Sequence, residues 1–148
     1  MEFSEIIQQL YIGTTPRQED YPILKEMGVE LVINMRFERP PFPDPSSPPL
    51  RLLWLPTFDS PLIPIPMSAL RRGAKAALEI FKQGGFVYTH CAAGVHRGAA
   101  MGAAILISLG YHAEEAMQVI KERRPAADPY TWYIRRRIER FARAWNWS

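Results

Sequence analysis

The chain has one cysteine, Cys91, in the stretch Val87-Tyr88-Thr89-His90-Cys91-Ala92-Ala93-Gly94-Val95-His96-Arg97-Gly98, where an apolar run gives way to small residues and then to an arginine. A thiol placed between a strand and the start of a helix lies under unpaired helical N–H groups and their dipole, and Arg97 adds a fixed guanidinium. Both favour the thiolate. Ala92, Ala93 and Gly94 are small enough for successive backbone N–H groups to turn inward as a nest for a phosphate or another tetrahedral oxyanion. Arg97 offers a planar, two-pronged clamp that lysine does not. A single cysteine also excludes an internal disulfide framework, a cysteine-cluster zinc site and a dithiol redox pair. By itself it is either a small buried hydrophobe or one reactive thiol.

Strands alternating with helices must position that loop. The chain has 148 residues, 47% hydrophobic and 22% charged, which suits one soluble folded domain spanning 1–148 and excludes a wholly disordered or fibrous chain. Residues 10–12 read as a short strand, residues 21–27 as a helix closed by Gly28, and residues 29–35 as a buried strand. Ten of the fourteen prolines fall between Pro40 and Pro66, which predicts two irregular loops around a strand at 50–55. Leu70, Ala74, Ala77, Leu78 and Phe81 recur at helical spacing up to Gly84-Gly85. Residues 86–90 form a third buried strand, followed by a small-residue helix over 99–109 and helices near 113–123 and 130–144. Asp128 and Pro129 fit the cap and first position of the last. The fold class is therefore α/β, a central, mostly parallel sheet of about four or five strands covered by helices on both faces. Such sheets place ligands at the carboxyl ends of their strands.

Charge and hydropathy narrow the setting. No segment reaches the roughly 18 to 20 uninterrupted apolar residues of a membrane span, and Glu2 and Glu5 stand where a signal peptide would be basic, so a cytoplasmic location is expected. The net charge is +3, with eight basic and three acidic residues after position 120. That C-terminal surplus reads first as a solvated face and does not call for nucleic acid. Nothing in the sequence speaks to oligomeric state.

His90-Cys91-x-x-Gly94-x-x-Arg97 resembles the signature of the cysteine-dependent protein tyrosine phosphatases, in particular the small dual-specificity-like branch. Leu10-Tyr11-Ile12-Gly13 and the segment 24–34 resemble that branch as well. The resemblance implies a phosphomonoester hydrolase that needs no cofactor or metal and acts on a phosphorylated protein or another phosphomonoester. It implies Cys91 as the nucleophile that forms a cysteinyl-phosphate, and Arg97, with the loop Ala92, Ala93, Gly94, Val95 and His96, as the phosphate cradle. His90 would hold the loop from behind. The family's general acid falls on Asp59, thirty-two residues before Cys91, in Leu55-Pro56-Thr57-Phe58-Asp59-Ser60-Pro61, where it must be protonated for the first step and act as base toward water in the second, and partial desolvation by Phe58 and the prolines is expected to assist. Asp44 precedes the strand at 50–55 and is expected elsewhere, and Asp128 reads as a helix cap.

The pattern departs from the family at Gly98, where a Ser or Thr usually hydrogen-bonds the cysteine sulfur as it leaves. That departure predicts slow turnover unless Thr89 or a water substitutes, and it motivates a rival reading as a phosphate-binding pseudophosphatase. A rhodanese-like sulfurtransferase is a second rival, since it too holds a cysteine in an anion-binding loop. No glutamine occurs between Asp128 and Arg135, where many relatives position a water. His96 sits at the loop's rim, either as a pH-dependent charge or as a neutral residue. Arg36 and Arg39 line the pocket mouth or belong to a solvated loop. Tyr11, Tyr111 and Trp132 are expected in the core rather than against a substrate ring.

Overall fold

Apolar runs bounded by turn residues become strands where both of their faces can be covered. In the computed structural model, which describes residues 1–145, five do so. The final three positions of the expected 1–148 domain lie outside the described residues. In chain order the elements are β1 (Phe3–Ile7), β2 (Leu10–Gly13), α1 (Tyr21–Glu26), β3 (Val29–Arg36), β4 (Arg51–Thr57), α2 (Met67–Lys82), β5 (Phe86–His90), α3 (Arg97–Ser108), α4 (Ala113–Arg123) and α5 (Trp132–Ala144). The sheet order is β1-β2-β5-β3-β4, with β1 antiparallel to β2 and the other pairs parallel. Gly13 and Asn34 both pair with His90. β2 and β5 therefore end level, β3 runs two residues further to Arg36, and the chain leaves the central strand at Cys91.

The two faces are covered unequally. Leu10, Ile12, Leu31, Ile33, Met35 and Val87 face α2 to α5 in the main core. Tyr11, Val32 and Tyr88, one residue out of phase, face Tyr21 and Leu24 of α1 and Leu50 of the proline-rich segment. This is the period-two alternation of strands buried on both sides. Every residue of α3 is buried; its glycines and alanines let neighbouring helices and the sheet approach it from all sides.

Four boundaries differ from the sequence expectation. β1 was not anticipated, because Phe3–Ile7 carries only weak alternation and pairs along a single edge. β4 runs through Pro56 to Thr57, since at a register shift on an edge strand the missing proline N–H costs nothing. α3 begins two residues earlier than the small-residue run, at Arg97 itself. α5 begins at Trp132 with Thr131 at its N-cap position, so Asp128 is not the cap. Its carboxylate instead accepts the N–H groups of Tyr130 and Thr131 and the Thr131 hydroxyl in the turn before the helix. Among the aromatic residues, Tyr11 is buried while Trp132 is 59% exposed and so not part of the core.

Gly13 closes β2 where three chain segments crowd together. A Cβ there would lie 2.5 Å from the Glu2 carbonyl oxygen, 2.3 Å from Tyr88 Oη and 2.6 Å from Phe3 Cβ. Gly13→Ala is therefore expected to force β1 away from β2 and destabilise the protein by about 1 to 3 kcal/mol. Chemical denaturation checks this, and an unchanged midpoint would show that the edge strand yields freely.

Candidate active site

β5 delivers Cys91 to the carboxyl edge of the sheet, and the chain then turns through five residues, Ala92 to His96, before α3 begins at Arg97. Cys91 is 4% exposed. Its Sγ accepts the Gly98 N–H at 3.3 Å, and its carbonyl accepts the Thr15 hydroxyl at 3.1 Å. The carbonyls of the loop are bound on its outer side. Ala93 O and Gly94 O accept Arg124 Nη2 and Nε at 2.9 and 3.1 Å, and Val95 O accepts the Asp128 N–H at 2.8 Å. The N–H groups of Ala92 to His96 donate to no protein acceptor among the described residues. Gly94 takes φ +67°, and a Cβ on it would lie 2.8 Å from Gly13 O and 3.0 Å from the Arg124 guanidinium, so only glycine fits.

Arg124 is the residue the sequence hid. It is 2% exposed, and besides the loop it binds Ser4 Oγ at 3.1 Å and Glu2 Oε1 at 2.6 Å, joining β1 to the loop. By composition it belonged to the basic C-terminal face, and no local pattern separates it from the solvated arginines nearby.

Arg97, the first residue of α3, is 5% exposed. Its Nη1 and Nη2 each donate to a carboxylate oxygen of Glu38 at 2.9 Å, and Nη1 also donates to the Thr57 carbonyl at 2.8 Å. Its Nε is buried with no partner. The two hydrogen bonds from Arg97 pull the Glu38 carboxyl down to about 2. Burial opposes the charge on Arg97, but the bonds to Glu38 and the charges of Cys91, Glu38 and Asp59 together outweigh it and raise the guanidinium pKa. Nothing in the sequence pattern marked Glu38. His90 is 2% exposed and bonds the Cys91 carbonyl through Nδ1 at 3.2 Å. Burial, followed by the charges of Arg36 and Arg97, pushes its pKa down to about 4, so it is a neutral support behind the loop.

Asp59 is brought to the opposite rim. Its Oδ2 hydrogen-bonds His96 Nδ1 at 2.9 Å, and its Oδ1 accepts the Tyr133 hydroxyl at 2.5 Å. Burial does push the Asp59 carboxyl up, as expected. The bonds from Tyr133 and His96 and the charges of His96 and Arg97 outweigh it, and the net shift is downward. The desolvation expected to assist protonation is present but outweighed, and Phe58, 38% exposed, stacks on Phe37 at 4.5 Å. Tyr133 escaped notice because it is partly buried against the core, and from sequence an aromatic residue next to Ile134 reads as one more core contact. Thr89 does not take over the missing hydroxyl at Gly98, since its Oγ1 is buried without a partner. Asp44 lies away from the loop, binding Ser46 and the Leu50 N–H within the proline-rich segment. A thiol, a buried cationic donor and a carboxylic acid thus meet around one anion-shaped loop, an arrangement suited to phosphoryl transfer through sulfur.

The family model for the dual specificity phosphatase catalytic domain matches residues 10–140. Mouse dual specificity phosphatase 28 is 27% identical over 128 residues, covering 86% of this chain and 76% of the relative. Mouse dual specificity protein phosphatase 14 is 29% identical over 139 residues, covering 92% and 67%. The crystal structure of human DUSP28 superposes with a TM-score of 0.83 at 24% identity, covering 96% of this chain and 93% of that one, and shares the fold.

Tyr133→Phe removes a donor that favours the Asp59 carboxylate, so the Asp59 pKa is expected to rise. NMR titration of the Asp59 carboxyl carbon measures it; an unmoved titration would show that His96 and Arg97 alone hold the group down.

Proposed function

Because the chain belongs to the dual specificity phosphatase family, whose members are phosphoric monoester hydrolases, we propose that it hydrolyses phosphotyrosine and phosphoserine or phosphothreonine through a cysteinyl-phosphate on Cys91. The orphaned Nε of Arg97, a buried cationic donor beside a thiol, supports this most directly. Leaving such a donor unpaired costs roughly 1 to 3 kcal/mol, a cost an anion in the loop removes. In this reading the non-bridging phosphate oxygens accept the N–H groups of Ala92 to Arg97 and the Arg97 Nε. The Cys91 sulfur attacks phosphorus in line as the bond to the leaving oxygen breaks, and protonated Asp59 gives that oxygen its proton. Asp59, now a carboxylate, takes a proton from water, whose oxygen attacks phosphorus. The S–P bond breaks, the electron pair returns to sulfur, and inorganic phosphate leaves.

The downward shift of Asp59 sets the pH behaviour. The acid form is required for the first step, so activity falls as pH rises through the Asp59 pKa. A phosphate dianion beside it raises that pKa by repulsion and recruits the proton on binding. The family does not favour the sulfurtransferase or the pseudophosphatase, and the Gly98 N–H already supplies one hydrogen bond to the sulfur. A cytoplasmic location, with phosphorylated protein as the substrate, completes the proposal.

The test is hydrolysis of phosphotyrosine without added metal. Cys91→Ser is expected to abolish turnover. Asp59→Ala is expected to lower kcat by about 10²- to 10⁴-fold and to flatten the high-pH decline. Activity surviving in Cys91→Ser would overturn the mechanism. A Cβ at position 98 would make ordinary contacts, 3.6 Å from Cys91 Sγ and 3.5 Å from Ile12 Cγ2, so a serine fits and its hydroxyl reaches the sulfur. Gly98→Ser is accordingly expected to raise kcat and remove an initial burst of leaving group. An unchanged or lower kcat, with no burst in the parent, refutes slow dephosphorylation.

A further inference from the structure

α5 turns a row of arginines away from the core. Ile134, Ile138 and Phe141 are buried, whereas Arg136, Arg140 and Arg143 are exposed, and their separations of four and three residues set them along one face of the helix. None of the three forms an ion pair among the described residues. The segment that follows Asp59 lies against this row. It is tied at both ends, since Asp59 accepts the Tyr133 hydroxyl and the Ile65 carbonyl accepts Arg137 Nε at 2.9 Å. Between the two ties, Pro61 and Pro64 join Trp132, Arg136, Arg140 and Arg143 in walling a groove of about 450 Å³. A hollow of about 350 Å³ adjoins it at Arg140 and Arg143. The cavity is therefore elongated along the helix, with exposed Trp132 at the end nearer Asp59.

Charge and spacing select the occupant. Arg137 also lines the groove, and the four arginines face one carboxylate there, that of Glu139, which Arg135 binds at 3.3 Å. Three positive charges are thus left over within the groove. Burial, followed by the repulsion of Arg140, lowers the Arg137 pKa. Residues 1–120 carry 10 basic and 12 acidic side chains, so the surplus is a short local row and not the continuous track that a nucleic-acid backbone or an anionic membrane would follow. Four residues of a helix rise about 6 Å and two of an extended chain about 6.6 Å. We propose that this groove docks an extended acidic segment of a partner protein, with aspartate or glutamate at alternate positions. Successive carboxylates then meet Arg136 and Arg140, each gripping one through charge-assisted, two-pronged hydrogen bonds. Arg143 extends the row, and Trp132 offers its ring to an apolar residue at the segment's end. Where the partner is a substrate, docking tethers its phosphorylated residue close to Cys91; that consequence rests on the phosphatase reading, and the docking itself does not.

Two labelled, unphosphorylated peptides of one sequence, with glutamate or glutamine at alternate positions, test the groove by fluorescence anisotropy. The wild-type protein is expected to bind the glutamate peptide about tenfold more tightly, with the advantage shrinking as salt is raised. Arg136→Ala/Arg140→Ala is expected to abolish the preference. Arg71→Ala/Arg72→Ala removes the same charge from exposed positions of α2 outside the groove and is expected to preserve it. Linking phosphotyrosine to the glutamate peptide through a flexible spacer is expected to lower KM about tenfold against free phosphotyrosine, with kcat unchanged. The gain disappears in Arg136→Ala/Arg140→Ala, which hydrolyses p-nitrophenyl phosphate as the wild type does. Hydrolysis of none of these phosphates by the wild type counts against the phosphatase reading alone, and peptide binding still judges the groove. Equal affinity for the two peptides overturns the docking site, as does a preference that survives Arg136→Ala/Arg140→Ala or falls equally in the α2 variant. So does tighter binding of phosphatidylserine vesicles or single-stranded RNA that is lost with Arg136 and Arg140, which would assign the row to a membrane or to nucleic acid.

Discussion

A loop that offers its amide protons to an anion must dispose of its carbonyl oxygens elsewhere, because successive peptide groups point their two poles in opposite directions. Here the disposal falls to Arg124, whose buried guanidinium holds the carbonyls of Ala93 and Gly94, and to the Asp128 N–H, which holds that of Val95. Gly94 takes its left-handed turn against the carbonyl oxygen of Gly13, 2.8 Å from where a Cβ would stand, so a side chain has no room there. The same guanidinium reaches Ser4 and Glu2, so an edge strand with no part in the chemistry carries the geometry on which the chemistry depends.

On the inner side of the loop the charges come in exchangeable pairs. Glu38 occupies both terminal nitrogens of Arg97 and is itself half exposed, so the guanidinium is held in position by a partner that water can reach. Asp59 is tied to the loop through His96 and to α5 through Tyr133. The acid's segment and the loop are thereby coupled, and the bonds that hold Asp59 in place also favour its carboxylate. The bonds that give Asp59 its reach therefore oppose the proton affinity that an acid needs.

The elements whose signals are local were legible. Two-sided burial made β3 and β5 continuous apolar runs, and Leu70, Ala74 and Ala77, which recur at helical spacing, are fully buried in α2. The strand–loop–helix context of Cys91 followed from small residues succeeding an apolar run. β1 and the extension of β4 through Pro56 were not legible, because a strand at a sheet edge is specified by its neighbour's free hydrogen-bonding groups more than by its own sequence. The earlier start of α3 was hidden for a related reason. Arg97 is no stronger a helix signal than any other residue, and what places it in the first turn is the loop behind it.

By itself, the sequence determined the α/β alternation, the position of the lone thiol at the end of the central strand, and the chemical family to which His90, Cys91, Gly94 and Arg97 point. Each of these depends on residue types at short, regular separations, which the geometry of a strand or a helical turn converts directly into position. Only the tertiary structure decided that Arg124, just past the end of α4, is buried under the loop rather than solvated, that Glu38 grips Arg97, that Tyr133 and His96 share Asp59, and that Arg17, Arg36 and Arg39 face one cavity. Apart from Arg36 and Arg39, these residues lie 19 to 74 positions apart, and their types are common on any surface. Their meaning comes from the distance at which folding sets them, and Coulomb and hydrogen-bond energies fall off too steeply with that distance to be read from spacing in the chain.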